Sequence, residues 1–252
     1  MWWQNWTKKN ENKPYVLFGA GLTGGTIISN MKKIKRILLD FLIKVLRSKR
    51  AGVTVFRAHK GVFPIILDVI KKIPPYSSDV EMFHIASVTL AARKIEGDFA
   101  EVGVANGATA KIISVFKGDK ELHLFDTFEG VPFVTKEDDP SIVPGVCKSS
   151  LEFVQNNLRG EKNIRFYKGV FPETAAPLSE KKFSFVNLDV DIYKSTKDAL
   201  DFFYSRMSKG GVILSHDYSY YDGVKKAFDE FFADKPEPII ALCESQCLVV
   251  KM

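Results

Sequence analysis

"GDFAEVGVANGATAKIISVF", residues 97–116, decides how this chain folds. A short apolar strand runs into Glu101, Gly103 and Gly107 follow in the form E-x-G-x-x-x-G, and "ATAKIISVF" continues as a helix. About 25 residues after Glu101, "KELHLFDTFEG" reads as a second strand that delivers Asp126 at its carboxyl end. An acid at that point can accept hydrogen bonds from two ribose hydroxyls. The looser glycine spacing suits a nucleoside with no pyrophosphate to cradle.

A competing junction lies upstream. "YVLFGAGLTGGTII", residues 15–28, spells G-x-G-x-x-G between an apolar strand and a helix start. A dinucleotide fold would then need a second strand ending in an acid ~20 residues past the glycines. Instead comes "NMKKIKRILLDFLIKVLRSKR", residues 30–50, with Asp40 in its middle. Ile34, Leu38, Phe41, Leu42, Val45 and Leu46 fall on one helical stripe, with lysines and arginines around it. The first junction is therefore expected to be a glycine turn that docks an extension, not an NAD or FAD site.

The charge divides the same way. Residues 1–60 hold 13 Lys and Arg against 2 acids, and residues 61–252 hold 23 against 28. The chain is read as a basic N-terminal extension (1–60) followed by one main domain (61–252). The domain lacks the basic surface that nucleic acid demands. The amphipathic helix is too short in apolar run to span a bilayer. Packing on its own domain is the preferred use; residues 31–50 also fit peripheral contact with an anionic membrane or the interface of a homodimer. The odd cysteine count (Cys147, Cys243, Cys247) fits neither a disulfide framework nor a zinc site. With no secretory signal near Met1, a reducing, cytoplasmic setting is expected.

Downstream, strand and helix alternate. "NIRFYKGVF", "KKFSFVNLDVD" and "KGGVILSHDY" read as strands three to five, and "PIIALCESQCLVVKM" as a terminal pair about a turn at Glu244 and Ser245. "SLEFVQNNL", "STKDALDFFYSRM" and "DGVKKAFDEFFAD" supply helices between them. That order predicts a Rossmann-like α/β fold with a mostly parallel sheet, helices on both faces and an antiparallel hairpin at one edge.

At these residues the chain resembles class I S-adenosylmethionine (SAM) dependent methyltransferases, and more narrowly the macrocin O-methyltransferase (TylF) family. The matching segments are "GDFAEVGVANGAT", "LFDTFEGVP", "FYKGVFPETAAPL", "NLDVDIYKSTKDAL", "KGGVILSHDYS" and "GVKKAFDEFF", in the family's order. The resemblance implies an enzyme that methylates a hydroxyl of a small molecule, a sugar or glycosylated natural product. It implies that Glu101, Gly103 and Gly107, with the neighbouring Val104, line the SAM site, and that Asp126, followed by Thr127 and Phe128, binds the ribose. It also implies a divalent metal, usually Mg2+, with Asp189 and Asp217 at the matching positions. Where the family usually has two adjacent acids after the fifth strand, this chain has His216 before Asp217.

Read from the residues themselves, Asp189 and Asp191 stand two apart at a strand end and project to one side if the strand persists. With Asp217 and His216 they would meet at the carboxyl edge of the sheet, where a cation or shared proton must relieve their repulsion. In the expected chemistry, Mg2+ held by Asp189 and Asp217 lowers the pKa of the acceptor hydroxyl while Asp191 or His216 takes its proton. A helix cap is the alternative use of Asp191. Residues 129–150, rich in Pro, Gly and charge, are expected to form a lid over the acceptor. Tyr193, Tyr218, Tyr220 and Tyr221 are candidates to line its pocket. His84 and His123 are expected to be packing histidines. A methyltransferase of a membrane-associated glycan and a non-catalytic SAM-binding module are the competing functions.

Overall fold

The computed structural model describes residues 61–252. The glycine turn at 15–28 and the amphipathic helix at 30–50 lie outside the described residues. In chain order the domain has α1 (Phe63–Lys72), α2 (Asp79–Ala92), β1 (Asp98–Val102), α3 (Ala108–Phe116), β2 (Leu122–Asp126), α4 (Leu151–Asn157) and β3 (Ile164–Lys168). These are followed by β4 (Phe183–Leu188), α5 (Tyr193–Phe203), β5 (Met207–Ser215), α6 (Asp222–Phe232), β6 (Ile240–Ala241) and β7 (Cys247–Val250).

The sheet order is β3-β2-β1-β4-β5-β7-β6. The first five strands are parallel, and β7 pairs antiparallel with both β5 and β6. This is the expected α/β sheet with its antiparallel edge. The order reverses between β1 and β4, the switch point where open α/β sheets leave a crevice at their carboxyl edge.

Alternation along each strand feeds two cores. Leu122 and Leu124 join Phe99, Phe185, Ile66, Met82, Ile85 and Ile112 on the face covered by α1, α2 and α3. Ala100, Val102, Phe125, Val186 and Leu188 join Leu200, Phe203, Val224 and Phe228 on the face covered by α5 and α6. Burial on both faces explains why the central strands are nearly continuous apolar runs. Among the polar residues that interrupt them, Glu101 and Asn187 are paired directly across β1 and β4.

Local signals set the helix starts. Ser78 and Glu81 close a reciprocal capping box at the start of α2. Gly107 opens α3 at φ +84. Among the described residues no helix is long and apolar enough to cross a membrane.

Candidate active site

Gly103, the first residue past β1, sits at φ +86, and a Cβ there would stand 1.8 Å from the Asp189 carbonyl oxygen. Only glycine permits this approach. The Asp189 amide in turn donates to the Val102 carbonyl (2.9 Å) and the His216 amide to the Leu188 carbonyl (2.8 Å). The ends of β1, β4 and β5 are thereby sewn together, which brings the glycine loop against the acidic residues.

Asp126 ends β2 and anchors that loop. Its Oδ2 accepts from the amides of Val104 (2.7 Å) and Ala105 (2.9 Å), and its Oδ1 accepts from the Phe128 amide (2.6 Å). Carboxylate oxygens have further lone pairs to offer a ribose. Val104 and Phe128 are buried. The Thr127 hydroxyl donates to the Gly130 carbonyl at 2.7 Å. Phe128 is thus tied to Asp126 through its amide, and Thr127 to the following turn through its hydroxyl.

Glu101 is fully buried. Its Oε1 accepts from Asn187 Nδ2 at 2.8 Å, while Oε2 has no hydrogen-bond partner among the described residues. Burial, reinforced by the charges of Asp189 and Asp126 and partly offset by Thr109 and Asn187, pushes its carboxyl up to about 8. A neutral acid with an unspent oxygen beside a glycine cradle fits a polar ligand entering the crevice.

Past β4 and β5 the acids converge with the histidine. His216 Nδ1 stands 2.9 Å from Asp217 Oδ2 and 3.3 Å from Asp189 Oδ1, and Nε2 stands 3.1 Å from Glu81 Oε2. Neither ring nitrogen is aligned for a hydrogen bond. Burial by itself would lower the imidazole, yet the carboxylates of Asp189, Asp217 and Glu81 outweigh it and push His216 up to about 12. Burial and the neighbouring acids raise Asp189 to about 6 against the pull of His216, and raise Asp191 well above the usual carboxylate range.

The strands end sooner than expected. β4 stops at Leu188 and β5 at Ser215, so Asp189, Asp191 and Asp217 sit on loops rather than on strand. Asp191 and Asp217 both adopt φ +62, a conformation that costs a non-glycine residue energy and recurs at functional sites. Asp191 joins the cluster electrostatically by this turn, not by strand alternation. It does not cap α5 either. That role falls to Asp138, whose Oδ1 accepts from the Tyr193 amide at 2.6 Å while Oδ2 accepts from the Thr135 amide (2.6 Å) and hydroxyl (2.9 Å).

The 129–150 segment is therefore tied down. Val131 and Ile142 are buried in the core, and the Val131 and Val146 backbones are hydrogen-bonded. Cys147 at its end lies close enough to Asp191, Asp189 and Asp217 that their charges, after burial, push its thiol up to about 12. All three cysteines are free.

Of the four tyrosines, Tyr221 is the buried one, and Asp191 and Asp217 add to burial in raising its phenol. Tyr193 and Tyr218 turn instead to α6, donating to Glu230 (2.6 Å) and Asp229 (2.8 Å). His84 Nδ1 meets Gln246 Oε1 at 2.8 Å, and His123 is held between Tyr167 (3.0 Å) and Asp98 (3.2 Å), so both are packing histidines.

The family model described as macrocin-O-methyltransferase (TylF) matches residues 78–242, which include Glu101, Asp126, Asp189, Asp191, His216 and Asp217. The chain belongs to the TylF family. It is 29% identical over 147 residues to the 8-demethyl-8-(2,3-dimethoxy-alpha-L-rhamnosyl)-tetracenomycin-C 4'-O-methyltransferase of Streptomyces olivaceus, covering 52% of this chain and 56% of that protein. It is 27% identical over 155 residues to the demethyldecarbamoylnovobiocin O-methyltransferase of Streptomyces niveus, covering 55% and 59%. The chain spans little more than half the length of these relatives. Among solved structures, the O-methyltransferase NovP matches with a TM-score of 0.60 at 23% identity, over 68% of this chain and 79% of that one. The calicheamicin methyltransferase CalS11 matches with a TM-score of 0.59 at 14% identity, over 77% and 92%. These likenesses show the fold.

In this TylF chain, sequence reasoning missed Glu81, Ser245, Asp138 and Cys147. Glu81 was visible only as the last letter of S-x-x-E, a capping signature that says nothing of its second carboxylate oxygen. Ser245 Oγ meets Glu81 Oε1 at 2.5 Å and accepts from the Asp217 amide at 3.2 Å. Both contacts join segments far apart in the chain, and no local pattern announces them.

Proposed function

We propose that this chain is a SAM-dependent O-methyltransferase whose acceptor is a sugar hydroxyl of a glycosylated natural product. The observation that carries it is the meeting of two half-sites at one switch point: the Gly103 loop anchored by Asp126 and the Asp189, Asp191, His216 and Asp217 cluster, touching backbone to backbone through Gly103 and Asp189. Support for the acceptor class comes from relatives named as 4'-O- and 3''-O-methyltransferases, the first of a rhamnosyl tetracenomycin.

SAM supplies an electrophilic methyl group on a sulfonium. Asp126 offers its remaining lone pairs to the ribose hydroxyls, and Gly103 keeps the loop low enough for the nucleoside to lie on it. Asp189, His216 and Asp217 place ligand atoms within 4.8 Å of one another and would hold a divalent cation. When bound, that cation supplies the positive charge that makes an acceptor hydroxyl more acidic. His216 faces carboxylates from both ring nitrogens, so Asp191, raised by its surroundings toward a better base, accepts the hydroxyl proton. Tyr221, buried, and Cys147, half-buried, both feel the Asp191 charge and wall the acceptor side. In-line alignment of oxygen, methyl and sulfur contributes much of the rest.

Calorimetric titration with SAM, S-adenosylhomocysteine and NAD, with and without divalent cation, tests the reading. The adenosyl ligands should bind and Asp126→Ala should weaken them roughly 10- to 100-fold. Asp191→Asn should lower kcat on a rhamnosylated acceptor by at least ~100-fold while leaving SAM affinity unchanged. Binding of NAD alone, or full turnover by Asp191→Asn, would sink it.

A further inference from the structure

The feature the family pattern does not account for is a histidine flanked by a fourth carboxylate from a distant helix. Glu81 is buried at the start of α2, with Oε2 accepting from the Ser78 amide at 2.9 Å and Oε1 from the Ser245 amide at 3.2 Å. These bonds fix the carboxylate where Oε2 faces His216 Nε2 at 3.1 Å. A carboxylate accepts only, so Glu81 keeps a proton on Nε2, and the proton on the Nδ1 side is the one that a cation held by Asp189 and Asp217 displaces. There Nδ1 is buried, makes no aligned hydrogen bond, and lies 2.9 and 3.3 Å from oxygens of Asp217 and Asp189. Neighbouring ligands each ~2.1 Å from one ion stand roughly 3.0–3.4 Å apart, depending on octahedral or tetrahedral angles. The spacing matches.

We propose that Glu81 fixes the His216 tautomer so that Nδ1 joins Asp189 and Asp217 as a mixed nitrogen and oxygen donor set, selecting a transition-series divalent cation over Mg2+. The inference rests on the methyltransferase reading for its setting. Its physical ground is donor chemistry: Mg2+ prefers oxygen ligands, whereas imidazole suits the later first-row ions. A carboxylate on the far nitrogen of a ligating histidine is a recurrent support that orients the ring and raises its basicity. Glu81 is thus a positioning residue.

The test uses the full chain stripped of metal and loaded with Mn2+, Co2+ or Mg2+. Pulsed EPR of the Mn2+ form should show coupling to an imidazole nitrogen that His216→Asp abolishes. The Co2+ over Mg2+ affinity ratio should fall at least ~10-fold in His216→Asp, which restores an all-oxygen set. Glu81→Gln, which keeps the cap, should weaken Co2+ by ~10- to 100-fold. Absence of nitrogen coupling in the wild-type protein overturns the proposal even if His216→Asp fails to fold, as does an unchanged ratio in a folded variant. SAM titrated into the same samples separates the two readings: SAM binding without nitrogen coupling overturns only the metal assignment, while no SAM binding overturns the methyltransferase itself.

Discussion

Glu101 shows how one buried side chain couples the site to stability. Its folded-state pKa of about 8 lies above that of the unfolded chain, where the carboxyl is solvated, so the folded form holds the proton longer. Stability from this group is complete below the unfolded value, declines as pH rises, and is lost through about 8. Glu101→Gln keeps an acceptor for Asn187 and removes the titration. The variant should match the wild type near pH 4 and exceed it at pH 8 by on the order of 4 kcal/mol in urea unfolding. Parallel curves at both pH values would mean that Glu101 is not held protonated. Glu81 behaves oppositely: after the cost of burial, His216, Ser245 and Ser78 hold it down at about 2, so its contribution is present at neutral pH and is lost as pH falls toward 2.

At the scale of elements, the strands end early and the loops beyond them carry the acidic cluster. Asp138 in the 129–150 segment supplies the cap that α5 lacks, since the cap position itself is Ile192 with no side-chain bond to give. Gly223 at the start of α6 makes room for it, because a Cβ there would stand 2.8 Å from Asp138 Oδ1. Removing the cap with Asp138→Ala should cost about 1 kcal/mol and expose the segment to cleavage by added protease between Gly130 and Cys147. A protease-resistant variant would show that Val131 and Ile142 alone hold the segment. The segment expected from composition to be a lid is, in the structure, buried at Val131, Asp138 and Ile142 and reaches Cys147 near the acids.

Across the whole molecule, the carboxyl-terminal hairpin reaches back to the site. Ser245 in its turn holds Glu81 and the Asp217 amide, and neighbouring Gln246 holds His84. Ser245→Ala removes bonds to a buried carboxylate and should cost about 1–3 kcal/mol in global unfolding. It should also weaken divalent cation binding, because Asp217 and Glu81 both lose a fixed point. Unchanged metal affinity in a destabilised Ser245→Ala would confine the hairpin to a structural role.

The sequence by itself determined the sheet, its antiparallel edge and the helices from α3 onward, because buried strands and capped helices impose local periodicities that apolar residues must satisfy. It also placed Asp126, since an acid at the end of the second strand is a position in a repeat, and it identified Gly103 by its spacing from Glu101. It determined that Asp189, His216 and Asp217 would share an edge, because parallel strands all point their carboxyl ends one way. Tertiary structure alone decided that Asp191 reaches the cluster through a positive-φ turn, that Asp138 and not Asp191 caps α5, and that Tyr193 and Tyr218 face α6. It alone brought Glu81 to His216. Those outcomes depend on contacts between residues tens to more than a hundred positions apart, where no period relates one letter to another and only the packed chain sets which carboxylate meets which nitrogen.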